Sequence, residues 1–337
     1  MNAPKYFRLV WCNTGDLIEP RYRHTASVLA DGKVLVAGGY DGMRYLKSAE
    51  LYDPPTGIWT ITGMMNTQRQ VYTASVLING KVLVAGGNNA YGYLHTAELY
   101  DPLTGIWILT DNMQNARDAH TATVLTNGKV LITGGYSNVY LDSAELYDPS
   151  TETWANTSNM NSGRGYHTAS VLRDGRVLVA GGSTDGNENS AELYDPLTET
   201  WTYTGNMTIA RQRHTASVLA NGKVLVTGGI GGENSAELYD SATGKWRVIN
   251  NMKDERFDHT ASVLANGRVL ITGGYSSSAL NSAELYDSST ESWIITENMN
   301  HMRNDHTASI LINGKILVAG GYDDHTAINS TELYQSS

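Results

Sequence analysis

Residues 24–39 read HTASVLADGKVLVAGG, and closely similar segments occur seven times along the 337-residue chain. Each copy ends in two adjacent glycines, at Gly38-Gly39, Gly86-Gly87, Gly134-Gly135, Gly181-Gly182, Gly228-Gly229, Gly273-Gly274 and Gly320-Gly321. Between its two apolar runs each copy carries Asp-Gly or Asn-Gly. That dipeptide favours the positive φ angles of a type I′ turn, so every copy predicts a β-hairpin.

Fixed landmarks surround each hairpin. An arginine precedes the second glycine by 18 residues in every copy: Arg21, Arg69, Arg117, Arg164, Arg211, Arg256 and Arg303. A Glu-Leu-Tyr segment follows, with its glutamate at Glu50, Glu98, Glu145, Glu192, Glu237, Glu284 and Glu332. Nine residues after the first six glutamates stand Trp59, Trp107, Trp154, Trp201, Trp246 and Trp293. Each unit of roughly 45–48 residues therefore predicts four short strands, as in the blades of a β-propeller.

The two ends of the chain complete one unit between them. The last unit ends without a downstream tryptophan, whereas Trp11 precedes Arg21 by ten residues, the spacing found in every other unit. Residues 1–20 are therefore expected to supply the outer strand of the last blade, which closes the ring and leaves no open edge there. We predict an all-β fold, a seven-bladed β-propeller of four-stranded antiparallel blades, in one domain spanning residues 1–337. The blades are expected to start near residues 21, 69, 117, 164, 211, 256 and 303.

A diglycine after the second strand, a tyrosine in the third and a tryptophan opening the fourth resemble the kelch repeat family. The resemblance runs from about Trp11 to Tyr334. It implies a kelch-type β-propeller, similar to the central domain of galactose oxidase, that grips partners with the loops of one face. It implies less about activity, because one fold hosts many functions.

Composition narrows the classes of partner. The chain has 24 basic and 34 acidic residues, a net charge of −10, which argues against nucleic acid as a ligand. No apolar run is long enough to span a bilayer. The single cysteine, Cys12, excludes an internal disulfide and multi-cysteine metal sites. The N-terminal segment is too short and polar for a signal peptide, so a cytoplasmic location is compatible, although a processed, secreted chain would look the same.

One face of the predicted propeller varies between blades. The distance from the second glycine to the glutamate ranges from 8 to 11 residues, while the other spacings are constant. In a four-stranded meander this loop and the loop around the arginine open on the same face, which we expect to be the working surface. Its tyrosines suit a protein segment or a glycan, because they offer rigid apolar area with a hydroxyl. The candidate ligand-binding residues are Tyr22, Arg23, Tyr40, Tyr45, Tyr91, Tyr93, Tyr136, Tyr140, Tyr166, Arg213, Phe257, Tyr275 and Tyr322.

The repeated charges are expected to be mainly structural. The arginine and the glutamate of one unit lie at the same end of the blade with only the diglycine between them, so each pair should form an ion pair. Two residues after the arginines the chain has Arg23, Val71, Ala119, Tyr166, Arg213, Asp258 and Asp305. Arg23 and Arg213 depart from this pattern, and we interpret them as charges that face a ligand.

Histidines recur three residues after the arginines. They are His24, His120, His167, His214, His259 and His306, with Tyr72 in the remaining blade. The ligand atoms of one metal ion must all lie about 2 Å from that ion, whereas the first strands of seven blades are spread around a wide channel. Hydrogen bonds within or between blades are therefore expected instead. Polar runs at 185–188 and 322–325 have no recognised ligand spacing, so no metal or other cofactor is predicted.

Three classes of function remain open at this stage. Non-enzymatic binding of a protein segment or glycan is favoured. A cofactor-independent, mutarotase-like enzyme would need an acid/base pair in the central funnel, with Asp258, Asp305 or Glu255 opposite Arg23 or Arg213 as candidates. A structural scaffold that assembles with itself is the third class. No catalytic residue is assigned.

A copper centre like that of galactose oxidase is not expected in this chain. Such a centre would require a cysteine linked to a tyrosine close to the propeller axis. Cys12 adjoins Trp11 on a predicted outermost strand, so the required pair is missing where it would be needed. The ligand-run pattern of the iron-dependent kelch-type plant specifier proteins, Glu-x3-Asp-x3-His, is missing as well.

Overall fold

The computed structural model of the protein describes residues 10–184 and 188–335. In this part of the chain the strands form seven four-stranded antiparallel sheets and one two-stranded hairpin, with no helix. The strands of a sheet pair in chain order, except that the small hairpin is inserted within one sheet and the first strand of the chain completes the last sheet. The predicted seven-bladed β-propeller is confirmed.

The strands follow in chain order, grouped here by blade. After β1 (Val10–Asn13) come β2 (Thr25–Val28), β3 (Val34–Ala37), β4 (Ala49–Asp53) and β5 (Ile58–Ile61) in blade 1. Blade 2 holds β6 (Thr73–Val76), β7 (Val82–Ala85), the hairpin β8 (Asn88–Asn89) and β9 (Gly92–Tyr93), β10 (Ala97–Asp101) and β11 (Ile106–Leu109). Blade 3 holds β12 (Thr121–Val124), β13 (Val130–Thr133), β14 (Ala144–Asp148) and β15 (Thr153–Asn156).

The remaining blades repeat the same plan. Blade 4 holds β16 (Thr168–Val171), β17 (Val177–Ala180), β18 (Ala191–Asp195) and β19 (Thr200–Tyr203). Blade 5 holds β20 (Thr215–Val218), β21 (Val224–Thr227), β22 (Ala236–Asp240) and β23 (Lys245–Ile249). Blade 6 holds β24 (Thr260–Val263), β25 (Val269–Thr272), β26 (Ala283–Asp287) and β27 (Ser292–Ile295). Blade 7 holds β28 (Thr307–Ile310), β29 (Ile316–Ala319) and β30 (Thr331–Gln335), and β1 is its fourth strand.

The first strand of each blade lies nearest the axis. Strand β2 contacts both β6 and β28, and the first strands of the other blades contact one another in the same circular order. Each apolar core lies between neighbouring blades. Between blades 7 and 1, for example, Leu317 packs with Val34, Val36 and Trp59.

The ring closes between the two ends of the chain, as predicted. Strand β1 pairs antiparallel with β30, and Trp11 lies opposite Tyr334. The indole N–H of Trp11 donates a 2.9 Å hydrogen bond to the carbonyl of Glu297 in blade 6. Trp107 makes the equivalent bond to Gly63 in an ordinary blade. The closing strand therefore reproduces the joint found between the other blades.

The hairpins form where expected, but their predicted turn type is wrong. In blade 1 the N–H of Gly32 bonds the carbonyl of Leu29, and the N–H of Leu29 bonds that of Lys33. Gly32 has φ +86°, whereas Asp31 has no positive φ. The connection is therefore a three-residue loop, a type I turn followed by a left-handed glycine. The Asp31 carboxylate accepts a hydrogen bond from the backbone N–H of Lys33. This side-chain bond favours the three-residue loop over a type I′ turn.

Every blade contains the predicted ion pair. The Arg21 guanidinium lies 2.8 Å from the Glu50 carboxylate and also donates to the carbonyl of Gly38. The Glu50 oxygens accept further bonds from the backbone N–H groups of Ile18 and Glu19, at 2.7 and 3.1 Å. The other six pairs, at 2.8 to 3.0 Å, are Arg69–Glu98, Arg117–Glu145, Arg164–Glu192, Arg211–Glu237, Arg256–Glu284 and Arg303–Glu332. These buried pairs hold the two loops of the variable face together in each blade.

Candidate functional site

The two loop sets predicted to form one face do meet. In each blade the residue after the arginine bridges to the residue after the diglycine, as Tyr22 does to Tyr40. The same bridge links Gln70 to Asn88 and Asp118 to Tyr136. Every blade therefore contributes one paired loop unit to the rim of this face.

An inner ring of residues surrounds the axis on this face. Its members, two residues after each arginine, are Arg23, Val71, Ala119, Tyr166, Arg213, Asp258 and Asp305. All seven have φ between 50° and 55°, a left-handed conformation that is uncommon for side chains other than glycine. In six of the seven cases the backbone N–H of one blade bonds the carbonyl of the ring residue in the preceding blade, as Asp305 does with Asp258. These interblade bonds fix the positions from which the side chains project.

The inner ring opens into a funnel of about 190 Å³. Its lining residues are Arg23, His24, Val71, Tyr72, Tyr166, Arg213, Asp258 and Asp305. Four successive blades, from blade 5 through blade 7 to blade 1, contribute charged ring residues, which we call the ionic arc: Arg213, Asp258, Asp305 and Arg23. Blades 2 and 4 contribute Val71 and Tyr166 on the other side. The funnel is therefore charged on one wall and largely apolar on the opposite one.

The two arginines predicted to face a ligand are not free cations. Arg23 Nε lies 3.0 Å from Asp305 Oδ2, and Arg213 Nη1 lies 2.8 Å from Asp258 Oδ2. The Arg213 guanidinium also lies 4.4 Å from the ring centre of Tyr166. Their side chains remain 33% and 23% exposed, so both still reach the funnel surface. Glu255, the third acidic candidate, lies outside the funnel and lines a separate cavity beside Phe257.

Two carboxyl groups on this face, Asp258 in the funnel and Asp118 behind the rim, have raised pKa values. Burial, and then the neighbouring charge of Asp305, raise the pKa of Asp258 to about 6, although Arg213 opposes the shift. Burial also raises the pKa of Asp118, despite a 2.5 Å hydrogen bond from Asn88. A carboxyl group with a pKa near neutrality can accept or release a proton at physiological pH.

Aromatic side chains form two clusters on the rim. The first contains Tyr22, Tyr40, Tyr45 and Tyr322, with neighbouring ring centres 5.0 to 5.7 Å apart. The second contains Tyr93, Tyr136 and Tyr140, at 5.0 and 5.6 Å. Phe257 and Tyr275 form a separate pair at 5.4 Å. The sequence-predicted aromatics are thus brought together, apart from Tyr91 and from Tyr166, whose ring contacts Arg213 instead.

Tyr91 belongs to neither tyrosine cluster. It lies at the tip of the β8–β9 hairpin and is 92% exposed. No ring contact to another described aromatic involves it. The hairpin carries it beyond the cluster that its neighbour Tyr93 joins.

The six histidines hold neighbouring blades together, as expected. His24 Nε2 lies 3.0 Å from Thr307 Oγ1, and His120 makes the same contact with Thr73. In the seventh position the hydroxyl of Tyr72 bonds Thr25. Burial, together with the adjacent buried arginines, lowers the pKa of His24 and His120 to about 3. These rings are therefore neutral at pH 7.

Metal-binding groups do not converge in the part of the chain that the structure describes. No cluster of three His, Cys, Asp or Glu side chains suited to a metal ion occurs there. Cys12 lies exposed on β1, the outermost strand of blade 7. In the polar run at 322–325, Asp323 accepts hydrogen bonds from backbone N–H groups of its own loop. Most of the run at 185–188 lies outside the described residues.

Sequence reasoning missed a set of buried polar side chains behind the rim. Gln70 donates to Asn88, Asn88 donates to Asp118, and the second oxygen of Asp118 has no hydrogen-bond partner among the described residues. Asp118 is only 6% exposed. It occupies the position that Tyr22 holds in blade 1, and an acidic residue at a position that is aromatic, amide or glycine in the other blades was the available signal.

Comparisons with known proteins agree with this geometry. The family model described as the KLHDC2/KLHL20/DRC7 Kelch-repeats domain matches residues 8–182. The Kelch motif matches residues 164–208, 213–253 and 256–300. The chain is thus a β-propeller built from kelch repeats. It belongs to the kelch-repeat family.

Among solved structures the chain is similar to a fungal alcohol oxidase. That structure is titled as a novel fungal alcohol oxidase with catalytic diversity among the AA5 family, in complex with copper. The TM-score is 0.80 at 18% sequence identity, over 97% of this chain and 76% of that one, so the likeness concerns the fold. No curated protein matches. The described residues include no helix that could cross a membrane.

Proposed function

We propose that this propeller is a non-enzymatic binding module that grips a segment of a partner protein with its variable face. The observation that carries the proposal is the pair of tyrosine clusters around the funnel, Tyr22 with Tyr40, Tyr45 and Tyr322, and Tyr93 with Tyr136 and Tyr140. Tyrosine supplies contact area at a small cost in conformational entropy. Membership of the kelch family supports the same reading, because kelch propellers commonly bind proteins.

The arrangement of the face also supports recognition of an extended segment. The first cluster comes from blades 7 and 1 and the second from blades 2 and 3, so the two lie in neighbouring sectors of the rim. A segment running along these sectors would meet both clusters in turn and pass beside the ionic arc. The negative net charge of −10 favours partners other than nucleic acid.

Binding measurements on peptide and glycan arrays test this function. We expect peptides to be captured and Tyr40→Ala to weaken capture about tenfold, the effect of losing an interface residue worth more than 1 kcal/mol. Tyr203→Ala is the matched control, because Tyr203 is 61% exposed on the outermost strand β19 and belongs to neither cluster. Capture of glycans alone, or equal effects of the two substitutions, would contradict the proposal.

A second candidate is a cofactor-independent carbohydrate-active enzyme of the mutarotase type. The pKa of about 6 for Asp258, beside Arg213 in the funnel, is the observation that favours it. A proton donor or acceptor poised near neutral pH suits the opening and closing of a sugar ring. An NMR assay of anomer exchange across a sugar panel, comparing the natural chain with Asp258→Asn, decides between this activity and simple binding.

A further inference from the structure

The ionic arc has hydrogen-bonding groups left over after its ion pairs form. Arg23 uses Nε to contact Asp305 Oδ2, and Arg213 uses Nη1 to contact Asp258 Oδ2. Among the described residues, no hydrogen bond reaches Oδ1 of either aspartate or the Nη atoms of Arg23. The funnel thus presents free acceptors directly beside free donors.

The charges that line the funnel are balanced. Two arginines face two aspartates, so a ligand carboxylate would approach Asp258 and Asp305, and a ligand cation would approach Arg23 and Arg213. Burying a charge without a new partner is costly. The raised pKa of Asp258 has the same origin, since burial and Asp305 both oppose its negative charge. An uncharged group avoids this cost.

The funnel also limits the size of its occupant. Its volume of about 190 Å³ accommodates one side chain rather than a folded element. Val71 and Tyr166 offer apolar contact on the wall opposite the ionic arc. The interblade backbone bonds hold the ring residues in place, which reduces the ordering needed on binding.

We propose that the funnel receives the carboxamide of a glutamine or asparagine side chain from the bound segment. Its carbonyl accepts a hydrogen bond from the Nη groups of Arg23, and its amide donates to the free oxygen of Asp305. A carboxamide carries an acceptor and two donors on adjacent atoms without a net charge. This inference rests on the proposed function, because it names the group that the variable face recognises.

Degenerate peptide pools test the inference on the full-length chain. Heptapeptides with three random residues on each side of a fixed centre are prepared with Gln, Asn, Glu, Lys or Leu at that centre. Capture of each pool by the immobilised protein is measured by fluorescence. We expect the Gln or Asn pool to be captured about tenfold better than the Glu, Lys and Leu pools.

Two substitutions should switch the preference in opposite directions. Asp305→Asn leaves Arg23 without its partner, so the Glu pool should gain relative to the Gln pool. Arg23→Gln leaves Asp305 unpaired, so the Lys pool should gain. Arg247→Ala is the matched control. Arg247 lies on the outer strand β23 and forms an exposed ion pair with Glu291, so its loss should leave all preferences unchanged. Thermal melts of each variant identify any loss of folding, and Arg23→Met, which keeps the length of the side chain but not its charge, then replaces a misfolded Arg23→Gln variant.

The outcomes separate this inference from the proposed function. Preference of the natural chain for a charged pool overturns the inference, as does equal capture of all five pools when Tyr40→Ala still weakens that capture about tenfold. In both cases the binding function stands. Capture of no pool, or capture of glycans only, overturns both.

Discussion

At the scale of single residues, buried charge organises each blade. Arg117 and Glu145 have no more than 1% side-chain exposure and lie 2.8 Å apart. Glu145 also accepts hydrogen bonds from two backbone N–H groups of the loop before Arg117. One carboxylate thus compensates a buried guanidinium and fixes the loop that leads to the working face.

Replacing Glu145 by Gln should destabilise the protein strongly. Arg117 would keep a hydrogen-bonding neighbour but lose its compensating charge, which costs about 3 kcal/mol and, in a domain of 337 residues, lowers the melting temperature by roughly 4 °C. Glu291→Gln is the control, since the Arg247–Glu291 pair is exposed and is worth less than about 1 kcal/mol. Calorimetric melting checks both; an unchanged melting temperature for Glu145→Gln would count against a structural role.

The buried histidines should make the fold sensitive to acid. Their pKa lies at about 3 for His24, His120 and His214, against about 6.5 in an unfolded chain. Below pH 6.5 the unfolded chain therefore takes up protons that the folded chain refuses, so stability is complete above pH 6.5 and falls as the pH drops toward 3.

A substitution that the chain itself supplies tests this. Tyr72 replaces the histidine in blade 2 and hydrogen-bonds the carbonyl of Ala37, so His120→Tyr in blade 3 should fold. Between pH 7.5 and 4.5 the free energy of unfolding of this variant should fall by about 2–3 kcal/mol less than that of the natural chain. Urea unfolding at the two pH values measures the difference. His325→Tyr, at an exposed loop position, serves as control and should not change the loss.

At the scale of secondary-structure elements, the diglycine lets adjacent blades approach. A Cβ on Gly86 would lie 2.6 Å from the carbonyl oxygen of Arg117 and 2.7 Å from the ring of His120, both in blade 3. Gly86 also has φ +66°. The end of each second strand thus needs glycine for two reasons, its backbone conformation and the neighbouring blade.

Substitutions of two glycines in blade 2 distinguish the conformational requirement from the contact with the neighbouring blade. Gly80 has φ +82°, but no atom lies within 4 Å of the place that a Cβ would occupy, so Gly80→Ala carries only the conformational cost of about 1–2 kcal/mol. Gly86→Ala adds the clash with blade 3 and should cost roughly 3 kcal/mol or more. Chemical denaturation compares the two. Equal losses would show that interblade contact does not require the diglycine.

At the scale of the whole molecule, the ring depends on one strand contributed by the N-terminal segment. Trp11 and Trp107 have the same local contacts, since each ring lies tilted against a tyrosine at 5.1 or 5.0 Å and each indole N–H donates to a carbonyl of the preceding blade. The strand of Trp107, β11, follows directly on its partner β10 in the chain. The strand of Trp11, β1, pairs with β30 from the opposite end of the chain, so no short connection keeps it in the blade.

Trp11→Ala and Trp107→Ala should therefore differ in how far their effects spread. Both lose a buried side chain worth about 3–5 kcal/mol. Trp11→Ala should also detach β1 and raise amide hydrogen exchange across blade 7 and both of its neighbours, blades 6 and 1, whereas Trp107→Ala should leave exchange outside blades 1 and 2 unchanged. Exchange followed by mass spectrometry checks this. Similar local patterns would mean that closure does not depend on Trp11.

The sequence alone determined the propeller, the number of blades, the ring closure and the face on which the loops meet. These features follow from short-range turn chemistry and from spacings repeated seven times. It also predicted the Arg–Glu pairs, because their positions relative to the diglycine are the same in every blade. The type I′ turn was wrong, because one dipeptide suits two hairpin geometries and the Asp31 side chain selects the other.

Only the tertiary structure decided the contents of the funnel. The pairing of Arg213 with Asp258 and of Arg23 with Asp305 joins residues from different blades, so no local pattern indicates it. The same holds for the grouping of the tyrosines into two clusters and for the isolation of Tyr91. Side chains far apart in sequence meet there because the ring places one residue of each blade around the same axis. Their burial and the distances between them then set their pKa values.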